Sequence, residues 1–281
     1  MKIYKKYLHI YYLSQTGKLN ILYIYYIIYN IIYYIIYMPY YPELNILFIH
    51  IPKTGGTVIE KSMKKITKQN LFSLYPSNKI LKHPYNNVSL QHQYYTTLYT
   101  HRNLLNIRFD DTIKIFSVVR NPYDRIISDL FWNDLIKPYF TSEQVFHVIQ
   151  NKYLNRNDLD NHNKPQYKFV TDNDCNLIPN IKIFKCEELN EKNDEINKNF
   201  NIDINIVQSN VNKDYSKYLN AKSIMLINNY YKKDFELFDY PMKIVQPHLL
   251  LPNKKKKQPI NTKKQRAHTN AFGNFLFKGV K

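Results

Sequence analysis

Two mostly apolar runs, Leu44–Ile51 and Thr112–Val119, each stop at a turn containing proline and give way to a stretch with helical spacing. The first, Leu44-Asn-Ile-Leu-Phe-Ile-His-Ile51, is short and rich in branched residues, the pattern of a strand buried on both faces. Pro52 and a glycine pair close it. Beyond Thr57 apolar residues return at Ile59, Met63 and Ile66 with lysines between them, which is one face of a helix. The second run ends at Arg120 and Pro122, and from Tyr123 to Ile136 the helical spacing runs through Ile127, Leu130, Phe131 and Leu135. A third strand is predicted over Ile181–Phe184, and a helix over residues 222–238 through Ile224, Ile227, Tyr231 and Phe235. Thr141-Ser-Glu-Gln144 has the form of a capping box, with Val145, Val148 and Ile149 behind it as an apolar face. Asn155–Lys164 is largely polar and reads as a loop; the Asn- and Asp-rich stretch 191–212 has no assignable period. Strands alternating with helices predict an α/β fold, a parallel β-sheet flanked by helices, without internal repeats.

The candidate chemistry lies at the strand-to-helix junctions. Ile49-His-Ile-Pro-Lys-Thr-Gly-Gly-Thr57 sets Lys53, Thr54, Gly55 and Gly56 between a strand and a helix. Such a loop aims main-chain N–H groups and the positive end of the helix dipole at an anion. The chain has only five glycines, and two of them sit here, where they let the backbone approach an oxygen closely. Lys53 adds a point charge and Thr57 a hydroxyl. The order is not that of a Walker loop, G-x-x-x-x-G-K-[ST], because the lysine comes before the glycines. In the second segment, Val118-Val-Arg-Asn-Pro-Tyr-Asp-Arg-Ile-Ile-Ser128, Arg120 ends a strand, where open α/β sheets bind ligands. A guanidinium there can grip a phosphate bidentately, and Ser128, one to two turns into the helix, can hydrogen-bond the same group. Two phosphate cradles together predict a pocket for one ligand with two separate phosphate ends.

At these residues the chain resembles the sulfotransferases, specifically the membrane-associated carbohydrate type with signatures of the form H-I-P-K-T-G-G-T and V-R-N-P-Y-D-R…S. Weaker matches follow at Pro165-Gln166 with Phe169-Val-Thr-Asp172, at Ile183-Phe-Lys-Cys-Glu-Glu-Leu189, and at Tyr230-Tyr-Lys-Lys-Asp-Phe-Glu-Leu-Phe-Asp-Tyr240. The resemblance spans about residues 44 to 240 and implies a P-loop-like sulfotransferase fold. It also implies that Lys53, Thr54, Gly55, Gly56 and Thr57 hold the 5′-phosphosulfate of 3′-phosphoadenosine-5′-phosphosulfate, and that Arg120 and Ser128 hold its 3′-phosphate. The chemistry is then in-line sulfuryl transfer to an acceptor hydroxyl, with Lys53 at the bridging oxygen where charge builds. No metal is required, because the donor already carries an activated leaving group, and no His/Cys/Asp cluster has metal-ligand spacing.

The acceptor hydroxyl must lose a proton, and histidine suits that role near neutrality. His92, in Leu90-Gln-His-Gln-Tyr-Tyr-Thr-Thr-Leu98, lies between the cradles and resembles the histidine that acts as base in the family. His83, His101 and His162 are the other candidates, and His50 is expected to be packed or near the nucleotide. The loop 155–164 is a place for acceptor contacts. The acceptor expected from the resemblance is a carbohydrate, with other hydroxyl compounds as alternatives.

Composition divides the chain into 1–42, a sulfotransferase domain 43–252, and a basic tail 253–281. Of the net charge of +18, the first segment carries +4 and the tail +9, which leaves a modest +5 for the domain, suited to an anionic donor. The tail, with Lys254–Lys257 and Lys263-Lys-Gln-Arg266, is a solvated charge block. No recognised nucleic-acid module accompanies it, so no specific nucleic-acid partner is expected. Leu19–Met38 is uncharged and long enough to span a bilayer, with lysines at 2, 5, 6 and 18 on its cytoplasmic side. That pattern predicts a single-pass signal-anchor and a luminal catalytic domain; a start at Met38 would predict a soluble cytoplasmic protein. Cys175 and Cys186 are taken as free thiols, since two cysteines define no disulfide framework. Two rival functions make their own demands. A nucleotide kinase-like phosphotransferase needs a Walker lysine and a magnesium-binding acid ending a strand, neither of which is evident. A non-catalytic membrane-anchored relative predicts loss of Lys53, Arg120 or the base, and all the candidates are present.

Overall fold

The computed structural model describes residues 40–67, 81, 88–207 and 214–245. A four-stranded sheet organises them, in the spatial order β1 (Tyr40–Tyr41), β2 (Ile46–Ile49), β3 (Lys114–Val119), β4 (Ile181–Lys185). β2, β3 and β4 run parallel, with Leu47 opposite Ile115 and Ser117 opposite Ile183, while β1 is antiparallel to β2. The helices are α1 (Gly56–Thr67), α2 (Tyr95–Thr100), α3 (Pro122–Trp132), α4 (Ser142–Val148), α5 (Tyr167–Val170), α6 (Asn193–Phe200), α7 (Ala221–Tyr230) and α8 (Lys232–Leu237). This is the α/β architecture, a mostly parallel sheet flanked by helices, that the alternation of periods predicts. β1 goes beyond the expectation. Tyr40 and Tyr41, placed outside the domain by a boundary at residue 43, are buried and pair with β2. The span predicted over 19–38, His83 and the basic tail lie outside the described residues; among those described, no helix is long and apolar enough to cross a membrane.

Alternation along each strand gives the sheet two apolar faces. Ile46, Phe48, Phe116, Val118 and Phe184 pack with Ile59 and Met63 of α1 and Ile196 and Phe200 of α6. Leu47, Ile49, Ile115 and Val119 face the other way, toward Ile126, Ile127 and Leu130 of α3, Val145 of α4 and Ile227 of α7. Burying each large side chain contributes about 1.5–3 kcal/mol, so covering both faces is what keeps the parallel strands in register.

Local signals explain the helix ends. Asn121 caps α3, its side chain accepting from Tyr123 N–H at 3.0 Å with Pro122 in the first turn. α3 ends at Trp132 rather than Ile136 because Asp134 turns left-handed (φ 57°) and Leu135 N–H returns to Leu130 O at 2.9 Å. That closure keeps Leu135 in apolar contact beyond the last helical residue. The capping box forms at Thr141 and Gln144. The helix predicted over 222–238 is divided at Tyr231, whose hydroxyl donates to Asn163 O at 2.9 Å. In the unassigned stretch, Asn193 and Asn197, one turn apart on α6, pair their side-chain amides with the backbone N–H and C=O of Ile206 and Ile204. Asparagine there substitutes for a partner strand.

Candidate active site

Because β2 and β3 are adjacent and parallel, the loops that leave their carboxyl ends are neighbours. The first loop makes its turn with two left-handed residues, Lys53 (φ 67°) and Gly55 (φ 94°). Thr54 is fully buried and donates its hydroxyl to Ile51 O at 2.8 Å, so its side chain faces inward and only its backbone is placed for a ligand. Gly56 opens α1, and its reason is contact rather than backbone freedom. A Cβ added there would lie 2.1 Å from Cδ2 and Nε2 of His50. Thr57 is exposed at the amino end of the helix. Lys53 is half-buried, with Nζ 4.2 Å from the centroid of the Trp132 indole. Burial lowers its pKa, the Asp129 carboxylate opposes this, and the Arg120 guanidinium lowers it further.

The second turn is held from far away in the chain. Gln166, fully buried, accepts from Arg120 N–H at 2.9 Å and donates to Arg120 O at 2.8 Å. Glu187 accepts from Asn121 N–H at 2.8 Å and from the Tyr240 hydroxyl at 2.8 Å. Asp234, fully buried, accepts from Gln166 N–H and Tyr167 N–H, each at 2.8 Å. Burial pushes its carboxyl up to about 6, against those two hydrogen bonds. The three weaker segment matches therefore share one purpose, since each supplies a residue that fixes Arg120–Asn121 directly or through another.

The structure brings the two cradles together. Arg120 Nη1 donates to Lys53 O at 3.2 Å. Arg125, which sequence reading left without a role, is buried and bonds Pro52 O at 3.0 Å, Lys164 O at 2.9 Å and His162 O at 2.8 Å. It ties the first loop to the 155–164 segment. Ser128 is half-buried on α3, one turn before Trp132 and so on the face that carries the indole under Lys53.

Beside these loops lies a row of histidines. His92 Nδ1 sits 2.7 Å from Asp160 Oδ2, and Asp160 also accepts from the Ser89 main-chain N–H and hydroxyl. Burial pulls the His92 pKa down to about 4, opposed by the Asp160 hydrogen bond and reinforced by neighbouring His50 and His162. Asp160 is pushed up by burial, but the hydrogen bonds from His92 and Ser89 outweigh this and hold it below the usual carboxylate range. At neutral pH His92 is therefore uncharged, its Nδ1 proton on the carboxylate side and its Nε2 lone pair available. His162 pairs with fully buried Asp129 at 2.6 Å, and His50 with Glu60 at 2.8 Å. His101 instead ends α2, its N–H bonded to Thr97 O. The loop 155–164 thus brings Asp160 and His162 into the site. His92, Asp160 and His162 each offer a donor atom within 4.8 Å of the others. This is a grouping that linear spacing hid, because His92 and Asp160 are 68 positions apart. Cys175 is exposed and Cys186 buried, and no disulfide joins them.

Residues 40–241 match the family model described as the Sulfotransferase family. The comparisons with curated proteins and with solved structures gave no match.

Proposed function

The chain belongs to the sulfotransferase family, and on that premise we propose that it carries a sulfuryl group from 3′-phosphoadenosine-5′-phosphosulfate to a hydroxyl of a carbohydrate acceptor. The residues fit such a donor. A left-handed turn with a half-buried lysine opens onto the amino end of α1, where Thr57 is exposed. A guanidinium reaches that turn from the end of the neighbouring strand. Lys53, Gly55, Gly56, Thr57 and the main chain of Thr54 bind the 5′-phosphosulfate, and Arg120 with Ser128 binds the 3′-phosphate. The observation that supports this reading is the 3.2 Å bond from Arg120 to Lys53 O, because it holds the two turns next to one another.

His92 accepts on Nε2 the proton that the acceptor hydroxyl gives up as its oxygen bonds to sulfur. Lys53 faces the bridging oxygen, which keeps the electron pair when its bond to sulfur breaks. A cation held in a partly dehydrated gap stabilises that charge far more than one in water. Asp160 holds His92 in the tautomer that leaves Nε2 free and steadies the imidazolium once it forms.

The direct test is to incubate the full chain with donor labelled in its sulfuryl group, a panel of glycans and a hydroxyl-bearing control peptide. Transfer to a glycan with release of adenosine 3′,5′-bisphosphate, abolished in His92→Gln, is the expected result. Transfer confined to the peptide overturns the acceptor class. No transfer to any acceptor, with stronger stabilisation by magnesium-ATP than by the bisphosphate, overturns the donor.

A further inference from the structure

The proposed reaction uses one imidazole of a row of three. His50, His92 and His162 are each at least nine-tenths buried, and the ring centroids lie 5.0 Å apart from His50 to His92 and again from His92 to His162. Each Nδ1 faces a carboxylate of its own: Glu60, Asp160 and Asp129 respectively. A carboxylate in that position keeps the proton on Nδ1, makes the ring a better donor and leaves the Nε2 lone pair outward. Metal-ligating histidines almost always have this backing. His50 is closed to a ligand, since the edge bearing Nε2 abuts Gly56. His92 and His162 are the pair that remains.

One donor atom each of His92, Asp160 and His162 lies within 4.8 Å of the others. Asp160 already accepts from His92 and twice from Ser89, so it serves as backing rather than as ligand. Tetrahedral zinc with bonds of about 2.0–2.1 Å holds its nitrogens roughly 3.3 Å apart, a spacing within reach of two rings whose centroids lie 5.0 Å apart. Neutral imidazoles suit zinc-type cations, whereas magnesium and calcium take oxygen donors. We propose that Nε2 of His92 and Nε2 of His162 form a site for a zinc-type divalent cation, with water or the acceptor hydroxyl completing its coordination. Resting on the assignment of His92 as base, the consequence is inhibition: a cation on that lone pair leaves the hydroxyl proton with nowhere to go.

The test uses the full chain without donor or acceptor. Zinc affinity is measured by competition with a chromophoric chelator, in the wild type and in His92→Gln, His162→Gln and His147→Gln. His147 is the control, exposed on α4 and outside the row. Stabilisation by adenosine 3′,5′-bisphosphate reports whether each variant is folded. The expected result is a loss of about tenfold or more in each of the first two variants and none in the third. In wild-type protein, independent of any variant's folding, zinc should shift the imidazole ¹⁵N signals of His92 and His162, and magnesium should leave them in place. Undiminished affinity in both row variants, or unmoved signals at saturating zinc, overturns the site. Zinc bound by the pair with sulfuryl transfer unimpaired keeps the site and removes His92 as base; transfer by a chain whose pair binds no zinc does the reverse.

Discussion

The turn after β2 and the turn after β3, the two proposed anion cradles, lie at neighbouring places, yet they are held in opposite ways. The first is built from its own residues. Thr54 bonds Ile51 O, Val58 N–H bonds Gly55 O, two left-handed residues make the bend, and Gly56 lies against His50 six positions back. The second holds little by itself. Gln166 and Glu187 grip its backbone from 46 and 66 residues away, and Asp234 and Tyr240 hold those two in turn. A self-contained turn can be altered without loosening the rest of the fold. A turn assembled from remote parts ties ligand affinity to the stability of the whole domain.

The contrast can be broken first at Lys53. Lys53→Ala should lower turnover about 10²–10³-fold, the effect of losing one preorganised charge-stabilising group, while affinity for adenosine 3′,5′-bisphosphate changes far less. Steady-state rates beside nucleotide titration decide it, and a loss confined to affinity would remove Lys53 from the bridging oxygen. Gln166→Ala should cost about 2–4 kcal/mol in chemical denaturation, because it leaves two buried backbone groups of Arg120 unpaired. Although Gln166 is fully buried, this variant should also weaken the bisphosphate more than adenosine 5′-phosphate. Gly56→Ala forces a methyl into the His50 ring and should cost about 1–3 kcal/mol. In contrast to Gln166→Ala, it should weaken both nucleotides equally, because the damage is confined to the 5′ loop.

The acid side sharpens the comparison further. His92 has a folded pKa of about 4 against the usual 6.5, so its contribution to stability is complete above pH 6.5 and is lost as pH falls toward 4. Asp234, raised to about 6 from the usual 3.8, contributes in the opposite sense: its share is complete below 3.8 and lost as pH rises to 6. Denaturation curves between pH 4 and 6.5 should show His92→Gln flattening the acid loss by up to about 1.4 kcal/mol per pH unit. Asp234→Asn should steepen it. The smallest effect is expected from Tyr240→Phe, which removes one hydrogen bond to Glu187 at second remove from Arg120, at about 1 kcal/mol.

These same differences decide what the sequence discloses. The three parallel strands and the helices behind them are legible because burial on both faces forces continuous apolar runs, and the first loop is legible because its parts are contiguous. β1 is hidden because Tyr40-Tyr41 cannot be told from the Ile- and Tyr-rich stretch before it, and only pairing with β2 marks it as strand. α6 is hidden because Asn193 and Asn197 hydrogen-bond backbone in place of a strand partner, and asparagine carries no period. Arg120 and His92 can be named from short motifs. Arg125, Asp129 and Asp160 cannot be given roles in the same way, since their partners come from loops far along the chain. Hydrogen-bonded contacts such as His162 with Asp129 exist only once the fold is closed.

One binding experiment bears most directly on the claim that both turns grip a single nucleotide. Thermal shifts of the full chain with adenosine 3′,5′-bisphosphate and with adenosine 5′-phosphate should show stronger stabilisation by the doubly phosphorylated ligand. In Arg120→Ala that preference should vanish while the response to adenosine 5′-phosphate remains. Equal responses in the wild type, or a preference that survives in Arg120→Ala, would contradict it.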